Sequence, residues 1–204
     1  MISIVIQAGG QSRRMGKDKG LVRLNNIPLI EHVTTCLNGL VGETIITTNQ
    51  PENYQYLNLP LFSDKYPGSG ALAGLHTALQ AAHGEYVFVI ACDMPFVNRD
   101  LVKYIFSNTG KGDVVVPYIE DRFQPLHALY HRNSCLPAIK QVLSENQKRM
   151  ISFFPLVSVH KISSEQINQF DPAGQSFKNI NTPEELAQAE QTFSQASTST
   201  VSST

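Results

Sequence analysis

Along the chain, short runs of β-branched and other apolar residues alternate with stretches where apolar positions recur every three or four residues. The runs at 2–7, 44–48, 86–91 and 113–117 are nearly continuous, which predicts strands buried on both faces. Between them the period changes. Leu29, Ile30, Val33, Leu37 and Leu40 fall on one helical face, with Pro28 at a first-turn position. A second stripe, Ala71, Leu72, Leu75, Ala78, Leu79 and Ala82, stops at Gly84. A third helix runs through Phe106, with Asn98 or Asp100 as its cap. Strands alternating with helices in this way predict an α/β domain: a mostly parallel sheet with helices on both faces.

After residue 118 the alternation weakens. A strand is expected over 123–131, a helix over 133–144, and a further strand over 157–162, antiparallel or at the sheet edge. Thr182-Pro183-Glu184-Glu185 starts a last helix, with Thr182 as cap, Pro183 in the first turn and Glu185 three residues after the cap. From residue 194 the chain is uncharged and rich in Ser and Thr, so 194–204 is expected to be a disordered tail. Residues 1–193 then form a single domain.

Composition narrows the class. The chain has 204 residues and a formal net charge of −1, which gives no general attraction to nucleic acid or a membrane surface. No apolar run approaches the ~20 residues that span a bilayer. The first residues form a strand rather than a leader peptide. Three widely spaced cysteines, Cys36, Cys92 and Cys135, indicate neither a disulfide framework nor a zinc knuckle. A reducing cytoplasm is the expected location.

Positive charge is concentrated where the first strand ends. Gln7-Ala8-Gly9-Gly10-Gln11-Ser12-Arg13-Arg14-Met15-Gly16-Lys17-Asp18-Lys19-Gly20 joins a glycine-rich turn to four cationic side chains. Glycines let backbone N–H groups approach an anion closely, and Arg and Lys suit phosphate oxygens. The run lacks both the Walker spacing and the G-x-G-x-x-G fingerprint. It is a loop for a polyphosphate at a strand's carboxyl end, where open parallel sheets bind their ligands. Asp93 follows the strand at 86–91 directly, so its carboxylate reaches the same crevice and suits Mg²⁺, which takes one or two carboxylates plus phosphates and water. The plain alternatives are a solvated basic turn and a turn-forming Asp before Pro95. Cys92 is a packing residue rather than a nucleophile, since no His partner is evident nearby. His127 and His131 lie on a strand and read as core or hydrogen-bonded histidines. Arg122 and Gln124 are candidates for contact with an anionic second substrate.

The loop, with Asp64-Lys65-Tyr66-Pro67-Gly68 leading to Leu72-Ala73-Gly74, Ala91-Cys92-Asp93-Met94-Pro95, Gln124-Pro125-Leu126-His127-Ala128-Leu129-Tyr130 and Asn179-Ile180-Asn181-Thr182-Pro183, resembles in order the nucleotidyltransferases built on a Rossmann-like domain. Gly9-Gly10 and Asp18-Lys19-Gly20 look most like the molybdenum cofactor guanylyltransferases. The resemblance covers roughly the first 190 residues. It implies a three-layer Rossmann-like fold and transfer of GMP from GTP to the terminal phosphate of molybdenum-molybdopterin, with Mg²⁺ on Asp93. By this resemblance, GTP contacts fall to Gln7, Ala8, Gly9, Gly10, Lys19, Thr47, Asp64 and Asp93, and catalysis to Arg14, Lys19, Asp93 and Asn181. Asn179 and Asn181 flank Ile180 and lie beside the reacting phosphates or the pterin. Gln7 stands where most of the family has Leu, which leaves a backbone contact intact, and Asn49 is a further candidate base contact beside Thr47. Partners implied are molybdoenzyme apoproteins or their chaperones and a GTP-binding accessory protein. Two alternatives stay open: a cytidylyltransferase on the same pterin or another sugar or polyol phosphate, and a non-catalytic GTP- or cofactor-binding carrier.

Overall fold

Strand β1 (Ile2–Gln7) is the hub of the computed structural model, which describes residues 1–8, 18–64 and 70–199, with side chains up to residue 193. Its central residues, Ser3 to Ile6, are fully buried, as an apolar strand must be when helices cover both faces. The chain then forms β2 (Arg23–Leu24), β3 (Ile27–Pro28), α1 (Leu29–Leu37), β4 (Thr44–Thr47) and β5 (Leu61–Phe62). It continues through α2 (Ala71–Ala81), β6 (Tyr86–Ala91), α3 (Arg99–Ser107) and β7 (Val114–Ile119). The last elements are β8 (Arg122–Phe123), β9 (His127–His131), α4 (Arg132–Ser144), β10 (Val159–Ile162), α5 (Ser164–Asn168) and α6 (Pro183–Ser199).

The main sheet runs β10-β7-β9-β6-β1-β4-β5, with β8 paired to β7. β1 pairs parallel with β4 on one side and with β6 on the other. β9 is antiparallel to both β6 and β7, while β10 is an edge strand parallel to β7. The expected mostly parallel α/β sheet is what forms. One face packs Ile4, Ile6, Phe88 and Ile90 against Ile30 and Val33 of α1 and Leu101 and Ile105 of α3. The other packs Val5, Val87 and Val89 against Leu72, Leu75 and Leu79 of α2 and Ile139 of α4. The chain thus leaves β1 by α1 on one face and reaches β6 by α2 on the other. That reversal of strand order makes the carboxyl ends of β1 and β6 a topological switch point, the place where open α/β sheets bind their ligands.

Differences from the expected elements have local causes. The strand expected over 123–131 is split into β8 and β9 by Pro125, which has no N–H for a ladder, and a turn closes there with His127 N donating to Gln124 O at 3.0 Å. The β2–β3 hairpin turns on Asn25 and Asn26, both at positive φ, a backbone that Asn tolerates well. Asn98 caps α3, accepting from Asp100 N and Leu101 N. α6 starts with the expected capping box: Thr182 Oγ1 accepts from Glu185 N at 3.2 Å, and Glu185 Oε2 accepts from Thr182 N at 3.1 Å. This helix continues through residues 194–199, past the boundary expected at 193, because no Gly or Pro stops it. Residues 200–204 lie outside the described residues.

A third apolar cluster ties the chain's end to its beginning. Ile180 and Ala189, with Leu186 and Phe193 beside them, pack on Val22, Leu24 and Leu29. Phe193 also lies 5.2 Å from the rings of both Phe96 and His32. Residues 179–181 are therefore held between the docked helix and the turn after β6.

Candidate active site

Lys19 is delivered by a short 3₁₀ turn, Lys19–Leu21, that follows the glycine-rich loop. Asp18 precedes the turn and caps it, its carboxylate accepting from Gly20 N at 3.2 Å. The Lys19 ammonium meets two groups from distant parts of the chain. Its Nζ lies 3.1 Å from Asp93 Oδ2, and it also donates to Asn181 Oδ1. Asp93 sits immediately beyond β6, with its side chain only 7% exposed. A carboxylate so poorly hydrated requires a charge partner, and Lys19 supplies it. Ile180 N donates to Asp93 O at 3.1 Å, which brings the 179–181 segment against this turn. Ile180 is buried while Asn179 and Asn181 are half-buried, the alternation expected of them. Glu185 of the capping box also accepts from Asn181 N, so the cap of α6 orients Asn181 directly.

The ends of the remaining parallel strands line the same edge. Gln7 and Thr47 are register partners at the ends of β1 and β4. Gln7 O accepts from Cys92 N at 3.1 Å and Ala8 N donates to Thr47 O at 2.8 Å, so these two backbone groups are engaged in the sheet. The Gln7 side chain folds against α2, where its Nε2 donates to Ala71 O at 3.1 Å. Gly74 permits this, since a Cβ there would fall on the Gln7 carboxamide. Gln7 Oε1 and Thr47 Oγ1 are buried without hydrogen-bond partners. Asp64 follows β5 and forms a reciprocal pair with Asn49: Asn49 Nδ2 donates to Asp64 Oδ2 at 3.2 Å, and Asp64 N donates to Asn49 Oδ1 at 3.0 Å. Burial pushes the Asp64 carboxyl above its ordinary range, against hydrogen bonds from Asn49 and Thr77 that favour its ionised form. Lys19, Asp93 and Asn181 thus meet directly, while Gln7, Thr47 and Asp64 lie along the same rim. Gly9, Gly10 and Arg14 lie outside the described residues.

The other candidates fall elsewhere. Cys92 is buried and its thiol is pushed well up by burial, which suits packing rather than attack. His127 is fully buried on β9 between Phe88 and Phe177, at 5.4 and 4.9 Å between ring centroids. Burial lowers its pKa to about 3, so it is a neutral core residue. His131 pairs with Ser134 at 2.7 Å at the far end of that strand. Arg122 is exposed on β8. Among the described residues, no group of three His, Cys, Asp or Glu side chains is arranged to hold a metal ion, and no helix is long and apolar enough to cross a membrane. Tyr54, buried beside Asp18, carried no motif signal in the sequence.

Residues 4–159 match the model of the MobA-like NTP transferase domain. The chain belongs to that family. It is a nucleotidyltransferase, and among its MobA-like relatives is a probable molybdenum cofactor guanylyltransferase of Carboxydothermus hydrogenoformans, 35% identical over 193 residues, covering 95% of this chain and 97% of the relative. A molybdenum cofactor guanylyltransferase of Syntrophotalea carbinolica is 32% identical, covering 90% and 88%. Among solved structures, molybdopterin-guanine dinucleotide biosynthesis protein A of Archaeoglobus fulgidus superimposes with a TM-score of 0.82 at 27% identity, covering 96% of this chain and all of that one. A 4-diphosphocytidyl-2C-methyl-D-erythritol synthase of Anaerococcus prevotii shares the fold at 13% identity and a TM-score of 0.73. MobA-like membership and the Rossmann-like neighbours agree with the family resemblance read from the five motifs.

Proposed function

We propose that this chain transfers GMP from GTP to the terminal phosphate of molybdenum-molybdopterin, forming the guanine dinucleotide cofactor and pyrophosphate. The observation that carries the proposal is the meeting of Lys19, Asp93 and Asn181 at the switch point of the sheet, 74 and 162 positions apart from Lys19 in sequence. Nothing in a bland basic turn would assemble those three groups. The names of the relatives, together with Asp64 and Asn49 on the rim, support guanine: a carboxylate accepts from the ring N–H and amino group that guanine presents side by side.

The reaction needs alignment and charge neutralisation rather than a protein nucleophile. An oxygen of the acceptor phosphate attacks the α-phosphorus, the α–β bridge breaks, and its electron pair leaves with pyrophosphate. Lys19 transfers its hydrogen bonds from Asp93 and Asn181 to phosphate oxygens and offsets the charge that develops on them. Arg14 joins it by the family resemblance. Asn181, fixed by Glu185, orients Lys19 and can accept or donate to the reacting phosphates through its amide.

A magnesium ion fits Asp93. Asp93 would hold it through its buried carboxylate, with phosphate oxygens and water as the other ligands. Such an ion would supply Lewis-acid charge stabilisation on the triphosphate. The test is calorimetric binding of GTP, CTP, ATP and UTP with Mg²⁺, followed by pyrophosphate release with the pterin acceptor. Selective GTP binding with acceptor-dependent release is the expected result; a preference for CTP would move the assignment to cytidylyl transfer.

A further inference from the structure

Tyr54 is fully buried at the junction of two 3₁₀ turns, Pro51–Asn53 and Gln55–Leu57, and belongs to none of the sequence motifs. Its hydroxyl donates to Asp18 Oδ1. The same oxygen accepts from Gly20 N, so one carboxylate links a buried phenol to the backbone on either side of Lys19. The packing around this link leaves no slack. A Cβ on Gly20 would lie 2.6 Å from Tyr54 Oη and 3.3 Å from Cys92 Sγ, so the turn is pressed against both side chains. Cys92 is the chain neighbour of Asp93. Lys19 and its partner Asp93 are therefore each one residue away from the same packed knot.

We propose that Tyr54 is a positioning residue of the nucleotide site, holding the Lys19 turn through Asp18 so that the ammonium faces Asp93. A core role alone would need only the ring, because Phe fills nearly the same volume. The hydroxyl is needed only for the carboxylate, which would otherwise lose a donor in a half-buried setting. Burial and the neighbouring Asp18 carboxylate keep the phenol protonated, hence a permanent donor. The inference rests on reading Lys19 as the phosphate ligand, and one arm of its test uses no nucleotide.

The experiment compares Tyr54→Phe, Asp18→Ala, the double variant and Asp18→Asn. Without nucleotide, maleimide labelling of Cys92 is followed by peptide mass spectrometry, which separates it from Cys36 and Cys135. Tyr54→Phe and Asp18→Ala should each speed Cys92 labelling, the double variant should label no faster than Asp18→Ala, and Asp18→Asn, which keeps an acceptor oxygen, should stay near wild type. With GTP, Tyr54→Phe should lower kcat/KM by about tenfold, ~1.4 kcal/mol, with little further loss on the Asp18→Ala background. Equal effects of Tyr54→Phe on both backgrounds, or unchanged Cys92 labelling, would overturn the proposal. Failure of wild-type protein to bind GTP would instead strike the functional reading and leave the labelling result standing.

Discussion

Lys19 Nζ and Asp93 Oδ2 lie 3.1 Å apart although they stand 74 positions apart in sequence. The pair joins the turn after β1 to the turn after β6, and it gives each half of the site a charge that the other needs. Removing either partner leaves its counterpart poorly hydrated and unpaired, which costs more than a surface ion pair would.

Asp93→Ala should abolish metal-dependent turnover, by at least about 100-fold, the scale of losing one electrostatic contact at a reacting centre. Pyrophosphate release measures the loss, and a retained far-UV spectrum shows that the fold survives. Near-normal turnover would remove Asp93 from the metal role.

Lys19→Ala should weaken GTP binding or lower kcat by at least about tenfold, or ~1.4 kcal/mol. Lys19→Arg should rescue little, because a planar guanidinium cannot take the place of a compact ammonium between Asp93 and Asn181. Calorimetry with GTP and steady-state kinetics separate the two effects. An unchanged Lys19→Ala enzyme would mean that the loop serves another ligand.

Glu185→Ala removes the acceptor for Asn181 N and Thr182 N at the start of α6. Stability should fall by about 1 kcal/mol, typical of a lost cap. Turnover should fall more than a surface cap would explain, because Asn181 loses its anchor. Glu185→Gln, which still accepts, should recover most of both in denaturation and rate measurements.

His127 carries a pH dependence of stability. Burial lowers its folded pKa to about 3 against an ordinary value of 6.5, with the nearby Asp171 carboxylate opposing the shift. Between those values the unfolded chain binds a proton that the folded one refuses, so stability falls as pH drops below about 6.5. The slope approaches ~1.4 kcal/mol per pH unit once the unfolded histidine is mostly protonated. Urea midpoints at pH 7.5 and 5.0 should converge in His127→Gln relative to wild type; an equal shift in both proteins would place the acid sensitivity elsewhere.

Local physics explains why so much was legible from the chain. Nearly continuous apolar runs at 2–7 and 86–91 gave both central strands to the residue, since burial on two faces leaves few polar positions, Ser3 and the terminal Gln7 being the exceptions. The α6 cap was legible because Thr182, Pro183 and Glu185 act within four positions. Two-residue strands such as β2 and β5 were not, being too short to show a period. Among site residues, Lys19, Asp93 and Asn181 stood in recognisable motifs, whereas Tyr54 is one buried aromatic among many until its hydroxyl is seen on Asp18.

The sequence alone determined the fold class, because it depends on hydrophobic periodicity over short stretches, and it pointed to the family through five motifs met in order. Only the tertiary structure decided that Lys19 is shared between Asp93 and Asn181, that Asn49 pairs with Asp64, and that Gly74 makes room for Gln7. Those relations arise from strand order and from the docking of α6, which bring together residues far apart in the chain. Their separation erases any local signal, and only the packed sheet supplies the distance on which hydrogen bonds and ion pairs depend.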